Sequence, residues 1–207
     1  MSSGPELSGI IAGGQDTIVA LATPAGRGAL SVVRLSGSNA RQIAGRIVDP
    51  WPLAPRRATV CSILDSSRNR VLDQALVTVF VAPESFTGED LVEISGHGGY
   101  YAPAALMEAL VACGARPALP GEYTRRAVLN GKLDITQAEA IGDLVDAKSN
   151  AMLRTALSQL DGGLSRRISA LRNQIISLES LIAYDIDFPE EDDGPLPREK
   201  IGAEIEV

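Results

Sequence analysis

The sequence predicts an α+β protein: an N-terminal α/β domain on a mixed sheet, followed by an α-helical hairpin or partial bundle. Three observations point there. Short β-branched runs broken by Gly- and Pro-rich punctuation fill the chain up to Pro120. Strand signals then stop. Beyond that point apolar residues recur at steps of three and four, as on one helix face.

In order, residues 1–15 form a flexible lead-in. Thr17 to Leu21 (TIVAL) is a strand, and the loop Thr23-Pro24-Ala25-Gly26-Arg27-Gly28 leads to a second strand from Leu30 to Leu35. Ser36-Gly37-Ser38 caps a short helix, NARQIAGRIV. Further strands are expected at Ala58–Leu64, Leu72–Val81 and Leu91–Ile94. A helix from Tyr100 to Cys113 would turn Ala104, Met107, Leu110 and Val111 inward. The domain boundary is expected at residue 120, giving domains of 16–120 and 121–207. In the second, Leu164, Ile168, Leu171, Ile175, Leu178 and Ile182 form a heptad-like stripe. Its expected partner is one helical stretch from Thr136 to Leu160, joined to it through Asp161-Gly162-Gly163 as an antiparallel hairpin. Past the acidic run Glu190–Asp193 and the breakers Pro195 and Pro197, REKIGAEIEV reads as the start of another helix, so the sequence is expected to be a truncated fragment.

Composition narrows the function. The net charge is −7 and the isoelectric point near 4.8, a poor balance for clamping a polyphosphate backbone unaided. No apolar run reaches bilayer-spanning length and no secretory leader pattern opens the chain, so a cytoplasmic location is expected. Cys61 and Cys113 are too few and too far apart for a disulfide framework or a metal knuckle, and read as buried, inert thiols. His97 is the only histidine, which excludes a histidine-built metal site and restricts any Ser-His-Asp triad to that one base.

The segment best suited to chemistry is Ser85-Phe86-Thr87-Gly88-Glu89-Asp90-Leu91-Val92-Glu93-Ile94-Ser95-Gly96-His97-Gly98-Gly99. A strand entering a Gly-rich turn that opens a helix lets backbone approach a ligand; the same glycines also suit a tight corner with no ligand. GHGG matches neither a dinucleotide fingerprint nor a P-loop. Four blocks in this order, DTIVALATPAGRGALSVVRLSG, SFTGEDLVEISGHGG, PGEYTRRAVLNGKLDITQAEAIGDLVDA and IDFPEEDD, closely resemble the MnmE/TrmE family of tRNA wobble-uridine modification GTPases. The resemblance implies an N-terminal domain that binds a formyl-tetrahydrofolate and forms the homodimer, then a helical domain into which a GTPase domain is inserted. It implies folate contacts at Arg34 (VVRLSG), Glu93 (LVEISGHGG) and Lys132 (NGKLD). A pterin edge offers adjacent N–H donors to a carboxylate, and the anionic glutamate tail of a folate calls for cations. Glu93 is therefore expected to read the pterin, and Arg34 and Lys132 to hold the tail or carbonyl oxygens. Without the resemblance these are a strand-face charge, a strand-end cation and a turn residue. His97 would line or support the pocket, or serve structure alone. Arg125 and Arg126 would form a solvated face or reach the pocket, and Arg27 would meet a ligand or water.

No GxxxxGK[ST] occurs: Gly131-Lys132 is followed by Leu133. By resemblance, GTP, magnesium and potassium belong to the missing GTPase domain. The whole family protein acts with the flavoprotein MnmG (GidA) to add an aminomethyl-type group to carbon 5 of the wobble uridine (U34) in tRNA. Rival readings are a folate-dependent aminomethyl-transfer enzyme, with Asp90 as a poor acid or base, and a non-catalytic dimerisation module.

Overall fold

The computed structural model describes residues 16–187. The expected N-terminal lead-in, the acidic run and the further helix after Pro197 lie outside them. Two compact units divide at Leu133/Asp134.

The first unit is a seven-stranded mixed sheet. Its elements are β1 (Ile18–Leu21), β2 (Gly26–Ser36), α1 (Ala40–Ala44), β3 (Val48–Asp49), β4 (Thr59–Leu64), β5 (Val71–Phe80), β6 (Leu91–Gly99), α2 (Tyr101–Ala112), β7 (Arg116–Pro117) and α3 (Glu122–Leu129). The strand order is β3-β4-β5-β6-β2-β1-β7, every pair antiparallel except β1 with β7. Both edge strands are two residues long, which leaves little unpaired backbone to recruit another chain.

Strand alternation sorts the side chains into two faces. One face carries Val19, Val33, Leu35, Cys61, Ile63, Ala75, Val77, Val79, Val92 and Ile94, all buried with Ala40, Ile43 and Ala44 of α1 and Leu106, Ala109 and Leu110 of α2. Burying each such aliphatic side chain contributes roughly 1.5–3 kcal/mol. This is the core. The alternate residues Val60, Leu76, Thr78, Phe80, Ser95, Glu93, Leu91, Val32 and Arg34 share the opposite face, because directly paired residues project to the same side. Neither cysteine is bonded, and burial raises both thiols above their usual pKa.

Three expectations need correction here. Strand β6 does not end at Ile94 but runs on through Gly96-His97-Gly98 to Gly99, so Gly96 and Gly98 sit within the sheet and only Gly99, at φ +107, makes the corner into α2. For Gly96 and Gly98 the reason is crowding. A Cβ on Gly96 would lie 2.5 Å from Asp73 Oδ2, and one on Gly98 would collide with the Gly28 carbonyl oxygen. In α2 the inward residues are Pro103, Leu106, Ala109 and Leu110, while Ala104 and Val111 are exposed. Glu108 is the only charge in YAPAALMEALVA, so periodicity alone could not choose the buried face. The helix after Ser38 is also shorter than expected, Gly45 to Ile47 forming a turn and Val48 starting β3 instead.

Helix α3 lies within the first unit, although the sequence places the boundary before it. The Tyr123 hydroxyl donates to the carbonyl of Arg34 at 2.6 Å. Arg126 and Glu122, 6% and 7% exposed, join a buried ion network. Arg126 bonds Asp16, Glu89 and Glu122, and Arg116 bonds Glu122 through both terminal nitrogens at 2.9 and 2.6 Å. Ser36 donates to Glu89 at 2.8 Å and meets the Thr87 hydroxyl at 2.7 Å.

The second unit contains α4 (Ile135–Asp146), α5 (Asn150–Leu160) and α6 (Gly163–Asp187). A capping box between Asp134 and Gln137 starts α4. The expected single helix from Thr136 to Leu160 is broken: Ala147 is extended, and the Ser149 hydroxyl accepts from Met152 N at 3.3 Å to cap α5. Helices α4 and α5 therefore pack on each other, with Ala140 and Ala156 buried between helices that small residues let approach closely. The face expected to cover the stripe leaves Val145 80% and Met152 48% exposed. Leu164, Ile168, Leu171, Ile175 and Ile182 are instead 40% to 58% exposed among the described residues. No helix among them is long and apolar enough to cross a membrane.

Candidate functional site

The sheet face opposite the core brings two expected residues into contact. Arg34 on β2 and Glu93 on β6 are Cα partners, and Arg34 Nε donates to Glu93 Oε1 at 2.7 Å. Neither group is sealed: the side chains are 41% and 30% exposed. The bond uses one nitrogen of Arg34 and one oxygen of Glu93. Among the described residues the two terminal guanidinium nitrogens and Glu93 Oε2 remain available, so the pair presents donors and an acceptor side by side.

Lys132 does not touch that pair. It follows α3 at the Asn130–Gly131 turn, where Nζ donates to the Pro83 carbonyl at 3.1 Å. Its stem runs beside Gly88, which has φ +76; a Cβ there would come within 3.2 Å of Lys132 Cγ. Asn130 fixes the turn by donating to Thr87 O at 2.7 Å. Lys132 lines an open hollow of about 480 Å³ with Arg56, Phe80, Glu84, Ser85 and Phe86. Phe80 lies two residues along β5 from Thr78, the Cα partner of Glu93. The hollow and the Arg34–Glu93 pair thus share one sheet face, about 7 Å apart along the strand.

The SFTGED segment is mainly a scaffold for this arrangement. Ser85 Oγ donates to Glu89 O at 2.6 Å, Thr87 is fully buried, and Glu89 is held by Arg126. Asp90 accepts from the Ala82 backbone N–H at 3.0 Å, which occupies the group considered as an acid or base. Arg126, expected on a solvated face or in the pocket, is buried in the ion network; Arg125 is exposed.

That network has clear electrostatics. Hydrogen bonds from Arg116 pull the Glu122 carboxyl down to about 2, against the opposing effect of burial. Burial pushes the Asp16 carboxyl up, but bonds from Arg116 and Arg126 outweigh it and leave the pKa lowered. Both arginines are driven further toward the charged form, Arg116 chiefly by Glu122, and Arg126 by Glu89, Asp16 and Glu122 in spite of its burial.

His97 is elsewhere on the sheet. Its ring, 73% exposed, sits 2.6 Å from Asp73 Oδ1 through Nδ1, and its backbone N–H donates to Asp73 Oδ2 at 2.8 Å. Burial raises the Asp73 pKa, yet these bonds more than offset it and lower the pKa overall. Arg27 lines a separate hollow of about 280 Å³ between the Thr23–Gly28 segment and Gly98-Gly99. Among the described residues no group of three or more His, Cys, Asp or Glu side chains could hold a metal.

Sequence comparison agrees with this division of the chain. Residues 17–132 match the family model described as GTP-binding protein TrmE N-terminus, and residues 135–207 match the MnmE helical domain. A tRNA modification GTPase MnmE of Halorhodospira halophila is 47% identical over 192 residues, 93% of this chain and 40% of the relative. Its counterpart in Thermus thermophilus is 47% identical over 194 residues, 92% of this chain and 45% of the relative. One from Legionella pneumophila is 48% identical over 177 residues, 86% and 40% respectively. The chain spans about two fifths of the length of these relatives. With an N-terminal unit and a helical unit each matched in family order, the chain belongs to the MnmE/TrmE family.

Proposed function

We propose that the first unit binds a formyl-tetrahydrofolate on the sheet face that carries Arg34 and Glu93, as part of a tRNA modification GTPase acting at the wobble uridine. The observation carrying this reading is the half-exposed Arg34–Glu93 pair, with an oxygen and two nitrogens to spare among the described residues, on the same face as the cationic, aromatic hollow of Lys132. The donor set fits a reduced pterin. Glu93 Oε2 can accept from the ring's adjacent N–H groups while Oε1 stays with Arg34, and the free Arg34 nitrogens can donate to a carbonyl oxygen. When bound, the folate supplies the one-carbon unit. The chain's own residues bind and orient it.

The unit is further proposed to form a homodimer. The exposed Leu30, Val60 and Leu76 on the same sheet face suit a second copy better than solvent. GTP with its magnesium and potassium, the flavoprotein MnmG and the tRNA itself would be engaged by the whole protein in the cytoplasm. A net charge of −7 fits tRNA contact made through other parts of such a complex.

Calorimetry with 5-formyl-tetrahydrofolate tests the binding step. Glu93→Gln keeps shape and polarity but removes the charge, and should weaken binding at least about tenfold, the loss of one charge-assisted contact. Unchanged affinity in a folded Glu93→Gln protein would remove Glu93 from the site.

A further inference from the structure

We propose that the hollow beside Lys132 seats the carboxylate-bearing tail of the ligand, with Arg56 as a second tail-binding cation and Phe86 as the wall for the ring between pterin and tail. This inference rests on the folate reading and adds an orientation and two residues to it.

Arg56 is held in an unusual way. It is a non-glycine residue in the left-handed region, φ 58, a conformation that disfavours a side chain and persists only where the surroundings over-determine it. Here they do. Its N–H donates to Val79 O at 2.8 Å, and Nη2 donates to Glu84 O at 3.0 Å and pairs with the Glu84 carboxylate, 2.8 Å from Oε2. These bonds fix the guanidinium at the rim of the hollow while leaving Nε and Nη1 unbonded among the described residues. Glu84 is 70% exposed and, among the described residues, is the only carboxylate in the hollow's wall, set against two cations, Arg56 and Lys132. The local charge is positive in a chain whose overall charge is negative.

The rest of the wall is aromatic. Phe80 and Phe86 line it, and Phe86 is 42% exposed, an apolar ring left in water beside two cations. An aryl group ending in carboxylates matches that surface, with the ring on phenylalanine and the anions on the guanidinium and ammonium. Direction follows from the sheet register: Glu93 opposes Thr78, and Phe80 is the next residue of β5 on the same face. A ligand whose pterin sits at Arg34–Glu93 therefore reaches the hollow by running along β5.

The test compares two ligands on the whole chain by calorimetry: 5-formyl-tetrahydrofolate and the same molecule with both glutamate carboxylates converted to amides. Wild type should prefer the acid by at least about tenfold, as charge-assisted contacts predict. Arg56→Gln should cut that preference severalfold with little effect on the diamide, Lys132 keeping the remainder, and Arg56→Lys should recover part of the loss. If Arg56→Gln weakens both ligands equally, or neither, Arg56 is not a tail contact and the inference is overturned. Equal binding of acid and diamide by wild type would place the tail outside the hollow while leaving the folate reading intact. Failure of wild type to bind either ligand would sink the folate reading and this inference together.

Discussion

Gly98 and Gly28 approach so closely that a methyl group on Gly98 would meet the Gly28 carbonyl carbon and oxygen, both backbone atoms that cannot swing aside. Overpacking of this kind costs roughly 1–3 kcal/mol, so Gly98→Ala should lose about 2 kcal/mol in urea denaturation; a change below about 0.5 kcal/mol would show that the β2–β6 contact yields. The site residues differ in how visible they are in the sequence. Arg34, Glu93 and Lys132 stand out only through the blocks that contain them, since a charge in alternate strand positions is equally a solvated one. Register then makes Arg34 and Glu93 neighbours, a relation no local pattern encodes because 59 residues separate them. Arg56 gives no signal at all: one of two arginines in a loop, it becomes notable only through its backbone conformation and the hollow it borders.

Helix α3 shows why an element can be legible while its docking is not. Its eight residues contain Glu122 and Arg126 one turn apart, which reads as an exposed pair, yet both are buried against nearby Arg116 and against Asp16 and Glu89 from distant parts of the chain. Removing Arg126 strands the Glu122 and Glu89 carboxylates in low dielectric, so Arg126→Met should lose about 3 kcal/mol and, by loosening the turn that carries Lys132, weaken folate binding as well. A folded Arg126→Met protein of wild-type stability would contradict this. The network also sets an acid limit. Glu122 has its folded pKa lowered to about 2 from an ordinary 4.5; its contribution is present above the ordinary value and is lost as pH falls from about 4.5 toward 2. Denaturation across that range should therefore show a fall in stability that Glu122→Gln reduces; an unchanged pH slope in the variant would remove Glu122 from the account. Strands are legible to within a few residues where β-branched alternation is strong, as in β4 and β5. In contrast, Ser149 interrupts a helical stretch whose apolar period continues past it, because a hydroxyl that caps one helix competes with the backbone of the other.

For the whole molecule, the α+β division and the family are legible because strand and helix periodicities occupy different stretches and four motif blocks keep their order. What stays hidden is which surface is free. Helices α1 and α2 cover one face of the sheet and leave the other to Arg34, Glu93 and the Lys132 hollow, a choice made by packing alone. The central claim, that a folate lies on this face, is tested most directly by mapping amide chemical shifts of the isotope-labelled chain as 5-formyl-tetrahydrofolate is added. The largest shifts should cluster at Arg34, Thr78, Glu93, Phe86, Gly88 and Lys132. Shifts confined instead to Thr23–Gly28 and Gly98-Gly99, around the second hollow, would contradict the account.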